Sequence, residues 1–428
     1  MTESFLHYLW QFQYFNKRTL QTTTGDEIQI FYPGFRNSDA GPDFFDARIK
    51  IGEMEWVGSV EIHIHAAGWT EHQHDRDMAY ENVILHVVWN NNKPVKRNDG
   101  SWLPTLELKH RVNEELLLNY KRLIHNPEPI PCSPKLSQVS QLIKYSMADK
   151  VLIDRLESKA RVILAMLQRN QYDWEETFYQ LLSRNFGFKV NNEPFQQLAQ
   201  SVPYKFLLKH GDKFLQLEAL LFGQAGFLDE DHDEPHYTLL KREYKMLSQK
   251  YQLSQKKLNK IQWRFLRLRP ANFPTVRVAQ LTAILFHRRN LFSSILEINS
   301  SKALYAFFSV KLPEYWIRHY QFGKAYKDQK NSLGRESIDN IIINVIAPVL
   351  VAYGKSKDDQ LFVDRAVCIL QAIPAESNRI IRQWKMLGME VKTGFDSQAM
   401  VELFNNFCLK RRCLDCNIGT SLVNPTPK

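Results

Sequence analysis

The chain has 428 residues, 44% hydrophobic and 12% aromatic, a composition that fits two or three folded domains and excludes a disordered chain. Its cysteines, Cys132, Cys368, Cys408, Cys413 and Cys416, are odd in number and sparse, which excludes a secreted disulfide framework. The net charge of +10 is uneven: residues 1–130 hold 13 basic against 18 acidic side chains and the remainder 43 against 28, as in a cation-seeking part joined to a polyanion-seeking one.

In chain order, residues 3–15 (ESFLHYLWQFQYF) space apolar groups as an amphipathic helix does. From about 26 to 110 the period becomes two. Ile28, Ile30 and Tyr32 alternate with polar residues, as do Ala47, Ile49 and Ile51, and then Val60, Ile62 and Ile64. The run NVILHVVW, Asn82–Trp89, reads as a central strand buried on both faces. HQHDRDMAYE, between two strands, reads as a helical crossover, so a mixed sheet of about five strands is expected. HNPEPIPCSPK (125–135) holds four prolines and reads as a linker, after which the helical period dominates. The expected architecture is α+β: an α/β module over 1–125, then a larger all-α region over 126–428. No segment approaches 18 uninterrupted apolar residues and the N-terminus has no basic n-region, so a cytoplasmic chain with no membrane span is expected.

The third of these alternating strands carries the chemistry. Val60, Ile62 and Ile64 face the core, which puts Glu61, His63 and His65 on the opposite face. Ionisable groups so clustered are costly to bury unless paired, and a divalent cation resolves that cost. Gly41-Pro42-Asp43 places a carboxylate at the mouth of the preceding strand, with Asp46 nearby on that strand. His72, His74 and Asp75 follow closely downstream. Asp43, Glu61 and His65 are therefore candidate metal ligands for Mg²⁺ or Mn²⁺, and an ion held there lowers the pKa of bound water.

Pro42-Asp43 followed eighteen residues later by Glu61-Ile62-His63 resembles the PD-(D/E)XK nuclease signature, with His63 where that family usually has lysine. The resemblance implies a PD-(D/E)XK-like module in which Asp43 and Glu61 ligate the metal and His63 orients or activates water. His72 or His74 would then assist the leaving group, and Glu3 matches an acid that some members carry on the first helix. Trp69, His72 and His74 are similar to a WxHxH-like turn of the very-short-patch mismatch endonucleases. Through GPDF, VEIH, NVILHVVW, EALLFGQAGFL, RLRPANFP and CLDCNIG the whole chain resembles an uncharacterised bacterial family of about this length, a resemblance that supplies no activity.

Two further features lie outside this module. Cys408-x4-Cys413-x2-Cys416 is a soft-metal half-site, with Cys132 or Cys368 as the missing fourth ligand, for zinc or an iron–sulfur cluster. In plan it resembles the cluster with which some PD-(D/E)XK exonucleases pin the chain end to the nuclease domain. Between Lys241 and Arg269 ten basic residues meet one acid, with Tyr244, Tyr251, Trp263 and Phe265 interleaved. A basic helix of this kind makes Lys256, Lys257, Lys260, Arg264, Arg267 and Arg269 candidate nucleic-acid contacts. No Walker motif occurs, so no nucleoside triphosphate is expected. A metal-dependent nuclease is the leading expectation; the competing one is a non-catalytic nucleic-acid-binding or interaction protein on a degenerate nuclease scaffold with a structural metal.

Overall fold

The structure, a computed structural model, describes residues 1–37, 39–325 and 332–424. It is a mixed α+β chain of two compact units, Met1–Met147 with Leu403–Lys428, and Ala148–Glu402. The first unit therefore extends past residue 125 and recovers the C-terminal segment. The proline-rich stretch 125–135 does not behave as a linker, because Ile130 and Cys132 are buried within that unit.

The first unit opens with α1 (Glu3–Phe12), which buries Phe5, Leu6, Tyr8, Leu9 and Trp10 on one face. Six strands follow: β1 (Ile28–Tyr32), β2 (Phe35–Arg36), β3 (Phe44–Ile51), β4 (Met54–His65), β5 (Val83–Asn90) and β6 (Thr105–Glu107). Their order is β1-β3-β4-β5-β6, with β2 paired to β3. The β1–β3 and β3–β4 pairs are antiparallel, while β4–β5 and β5–β6 are parallel. The sheet is thus mixed as expected, with α2 (Gly68–Glu71) and two 3₁₀ turns in the crossover between β4 and β5. Strand β5 is buried from Val83 to Val88, as its apolar run requires.

One irregularity in β3 decides the site. Ala47, Ile49 and Ile51 are buried alternately, yet Phe44 is buried too, which simple alternation forbids. The register against β4 slips between Phe44 and Ala47, so Phe44 faces Val60 while Ala47 faces Gly58. Asp46 sits in this bulge with a left-handed φ of 56° and is exposed, so it is not the regular strand acid expected. The extra residue inverts the parity of the strand mouth. Asp43 thereby lands on the face of Glu61 and His63 instead of the face of Ala47.

Among its described residues the second unit is helical apart from a small hairpin, His319–Gln321 with Lys324–Ala325, so the region is not purely α. The continuous helix Arg335–Lys357 is long and apolar enough to cross a membrane by length and composition. Ile341, Ile342, Ile346, Val349 and Leu350 are buried in the unit instead, which makes it a core helix. A π turn over Ile342–Ile346 interrupts it and places Asn344 against Lys159, at 3.0 Å.

Candidate metal centre

Glu61 and His63 occupy the same face of β4 and are 6% and 3% exposed. Their buried state departs from an ordinary solvated strand face. The crossover supplies the cover: Trp69 packs with Ala66, Val83 and Val88, and its indole N–H donates to the Lys96 carbonyl at 2.9 Å. His72 ends α2, and a left-handed Gln73 (φ 61°) turns the chain so that His74 returns to the same point.

The result is a convergence of three imidazoles. The ligand atoms of His63, His72 and His74 all lie within 4.8 Å of one another. His63 Nε2 is 3.2 Å from His72 Nδ1 and 3.7 Å from Glu61 Oε1. His74 Nε2 is 3.4 Å from the same carboxylate oxygen. Four donors about 2.1 Å from one tetrahedral ion stand about 3.4 Å apart; the three imidazoles meet within reach of one ion, and Glu61 Oε1 lies at that spacing from two of them, His63 and His74. His72 is exposed and His74 half-buried, which leaves one side of the cluster open to solvent.

The protonation states fit that use. Burial, reinforced by the surrounding histidines, pushes His63 down to about 2. His86, wholly buried at its register position opposite Glu61, is pushed down to about 3, mainly by burial. His63 Nδ1 lies 2.9 Å from His86 Nε2. In the tautomer with Nδ1–H donating to His86, the Nε2 lone pair of His63 points at the cluster. Burial raises the Glu61 pKa, and the hydrogen bond with His74 opposes that rise.

Asp43 adjoins the cluster through a reciprocal clasp. Its backbone N–H donates to Glu61 Oε2 at 3.1 Å, and its Oδ2 accepts from the Ile62 N–H at 3.0 Å. Gly41, at φ 106°, makes the turn that delivers it. His7 of α1 brings Nε2 to 3.1 Å from Asp43 Oδ2 without hydrogen-bond alignment. Beside His74, stacked on Tyr80 at 3.8 Å, is a cavity of about 350 Å³ bounded by Trp69, Asp77, Glu81, Arg97 and Asp99.

The structure therefore gathers Asp43, Glu61, His63, His72 and His74. It does not gather His65, which is exposed at the end of β4 and pairs with Asn90 in the ladder. Glu3 is also exposed; one helical turn later, His7 takes the inward position expected of it. His7 and His86 were missed by the sequence reading. A lone histidine inside the apolar run NVILHVVW was the available signal for His86.

The other candidates divide. Cys132, Cys408, Cys413 and Cys416 are buried in the first unit, whereas Cys368 is exposed in the second. The basic stretch is not one helix: the helix Pro235–Tyr251 ends there, and 3₁₀ turns at 254–256, 260–262 and 270–272 follow. Trp263 and Tyr244 are core residues. Lys257 and Lys260 are ion-paired to Asp229 and Glu230, so the acidic loop neutralises them. Lys256, Arg264, Arg267 and Arg269 are exposed.

No curated protein and no solved structure matches this chain. A family match spans residues 3–379 and so includes every residue of the histidine centre. The chain belongs to the family described as Protein of unknown function (DUF2851).

Proposed function

We propose that the N-terminal unit is a divalent-metal hydrolase that cleaves phosphodiesters of nucleic acid. The observation that carries this reading is the convergence of His63, His72 and His74 within 4.8 Å of one another, with Glu61 Oε1 3.7 and 3.4 Å from His63 and His74 and Asp43 clasped beside Glu61. The order of parts supports the substrate class: a helix, an acid at the mouth of β3, then an acid and a basic residue on β4, as in the PD-(D/E)XK signature. The exposed Arg264, Arg267 and Arg269 are suited to phosphates.

Glu61 and the three histidines would hold the ion, which supplies Lewis acidity and a more acidic bound water. Imidazole donors suit Mn²⁺ or Zn²⁺ and are poorly matched to Mg²⁺, so Mn²⁺ is the better of the two ions the carboxylates alone imply. Asp43, with a side chain 24% exposed, is placed to orient an attacking water or accept its proton. His63, kept neutral by burial, serves as a ligand and not as a substitute for the lysine cation.

The test uses purified full-length protein with Mn²⁺ or Zn²⁺ and single- and double-stranded DNA and RNA. Cleavage is expected, abolished by chelation, and reduced about 10²-fold or more in Asp43→Asn and Glu61→Gln. Equal background cleavage in all three proteins overturns the catalytic reading. A second reading, a structural ion in a non-catalytic binding protein, is favoured by the 6% and 3% exposure of Glu61 and His63. It predicts metal retention and nucleic-acid binding without cleavage.

A further inference from the structure

We propose that Arg277 anchors a phosphate site: the cavity it lines in the second unit takes a small phosphate monoester with an apolar body. The site belongs to a different unit from the histidine centre, and the inference does not depend on the hydrolase reading.

Arg277 sits in the first turn of the helix Pro274–His287 and is 6% exposed. Its Nη1 donates to Gln280 Oε1 at 3.0 Å, and its Nη2 donates to Asn272 Oδ1 at 2.6 Å and to Ser337 Oγ at 3.2 Å. The Phe188 ring lies against the guanidinium, 4.5 Å from Cζ to the ring centroid. Every one of these partners is neutral, and the Nε–H finds no acceptor among the described residues. Burial pushes Arg277 down to about 10, and no acid opposes that shift. The group therefore stays charged at neutral pH while lacking a counter-ion. A buried cation in that state is disfavoured by several kcal/mol unless an anion pairs with it.

The cavity holds about 280 Å³, at the lower end of small-molecule sites. Phe186, Phe188, Phe195 and Leu268 give it an apolar wall, and Phe188 is exposed, so the space opens to solvent. Pro274 and Ser337 bring the first turns of two helices, Pro274–His287 and Arg335–Lys357, to its border. Neither helix start has a side-chain cap, so free backbone N–H groups and two positive helix ends reinforce the guanidinium. Buried Asn191 ties the basic stretch to the same wall. Its Nδ2 donates to the Arg264 carbonyl at 2.9 Å and its Oδ1 accepts from the Arg264 N–H at 2.8 Å. The exposed Arg267 and Arg269 flank Leu268 in the chain. This multiplicity of positive charge and forked donors suits a phosphate dianion better than a carboxylate. The acid on the lining, Glu336, is exposed and forms no ion pair with Arg277.

The experiment titrates full-length protein calorimetrically with phenyl phosphate, inorganic phosphate and benzoate, in the presence of a chelator so that no metal-bound phosphate contributes. Phenyl phosphate is expected to bind at one site, more tightly than inorganic phosphate, which lacks the apolar body, and than benzoate, which lacks the dianion. Arg277→Lys keeps the charge but loses the planar fork, and should weaken phenyl phosphate about 10–100-fold. Glu336→Gln removes a like charge from the lining and should tighten it about 2–5-fold. Absence of phenyl phosphate binding to folded wild-type protein at millimolar concentration overturns the proposal, as does equal affinity in Arg277→Lys. Benzoate binding as tightly as phenyl phosphate overturns the assignment of the ligand as a phosphate. Should Arg277→Lys fail to fold, Glu336→Gln decides, because an affinity identical to wild type places the anion outside this cavity and overturns the proposal.

Discussion

His63 and His86 share a single buried hydrogen bond, Nδ1 to Nε2 at 2.9 Å, between adjacent parallel strands. Both rings are held neutral by burial, so one proton between them fixes which nitrogen of His63 faces the cluster. His86 touches no other ligand candidate through a hydrogen bond, and its Nδ1 is without a partner. It is a positioning residue.

His86→Leu keeps an apolar side chain at a wholly buried position and removes only the acceptor. Mn²⁺ or Zn²⁺ affinity at the histidine centre is expected to fall about 10–100-fold, with secondary structure retained. Isothermal titration on wild type and variant checks it, and unchanged affinity would show that the pair has no orienting role.

Gly68 stands against the other side of His63. A Cβ there would lie 2.7 Å from His63 Cδ2 and 2.9 Å from Cγ, with the ring confined by His72, His74 and His86. Gly68→Ala is expected to cost about 1–3 kcal/mol of stability by overpacking and to weaken metal binding with it. Denaturant unfolding of the metal-free protein separates the two effects. A variant as stable as wild type with intact affinity would mean that the ring is free to move.

Arg264, Arg267 and Arg269 are exposed and, among the described residues, without an ion-pair partner, whereas Lys257 and Lys260 are tied to Asp229 and Glu230. Reversing the three arginines to glutamate should weaken nucleic-acid binding and reduce the salt slope by about one per lost phosphate contact. Lys257→Ala and Lys260→Ala should change binding little. Mobility shifts across a salt series provide the readout; the opposite ranking would discard this surface.

Lys159, in the helix Gln141–Arg169 of the second unit, gives a pH signature. Burial, assisted by Arg155, pushes it down to about 7 against the opposing charges of Glu376 and Glu402. An unfolded lysine titrates near about 10.4, so between about pH 7 and 10 the unfolded chain binds the extra proton, and stability rises with pH across that window. Lys159→Met should flatten the rise. Denaturant midpoints at neutral and alkaline pH measure it, and an identical pH dependence in both proteins would remove Lys159 as the cause.

The sequence by itself determined the mixed sheet, the both-faces-buried β5 and the shared face of Glu61 and His63. These follow from periods of two and from apolar runs, which are local properties of the chain. It also singled out Cys408, Cys413 and Cys416 by their local spacing, but left their companion open between Cys132 and Cys368; the fold buries Cys132 in the same unit and leaves Cys368 exposed in the other. Asp43 was a different matter. Its face depends on the bulge at Phe45–Asp46, which appears only when β3 is laid against β4 and the register is seen to slip. The same holds for His7 over Glu3, for His65 left outside at a strand end, and for His72 and His74 folding back over β4. A sequence states which residues are ionisable and how they alternate. Only the tertiary structure decides which of them are brought within ligand distance, because that depends on crossover packing and strand register between segments distant along the chain.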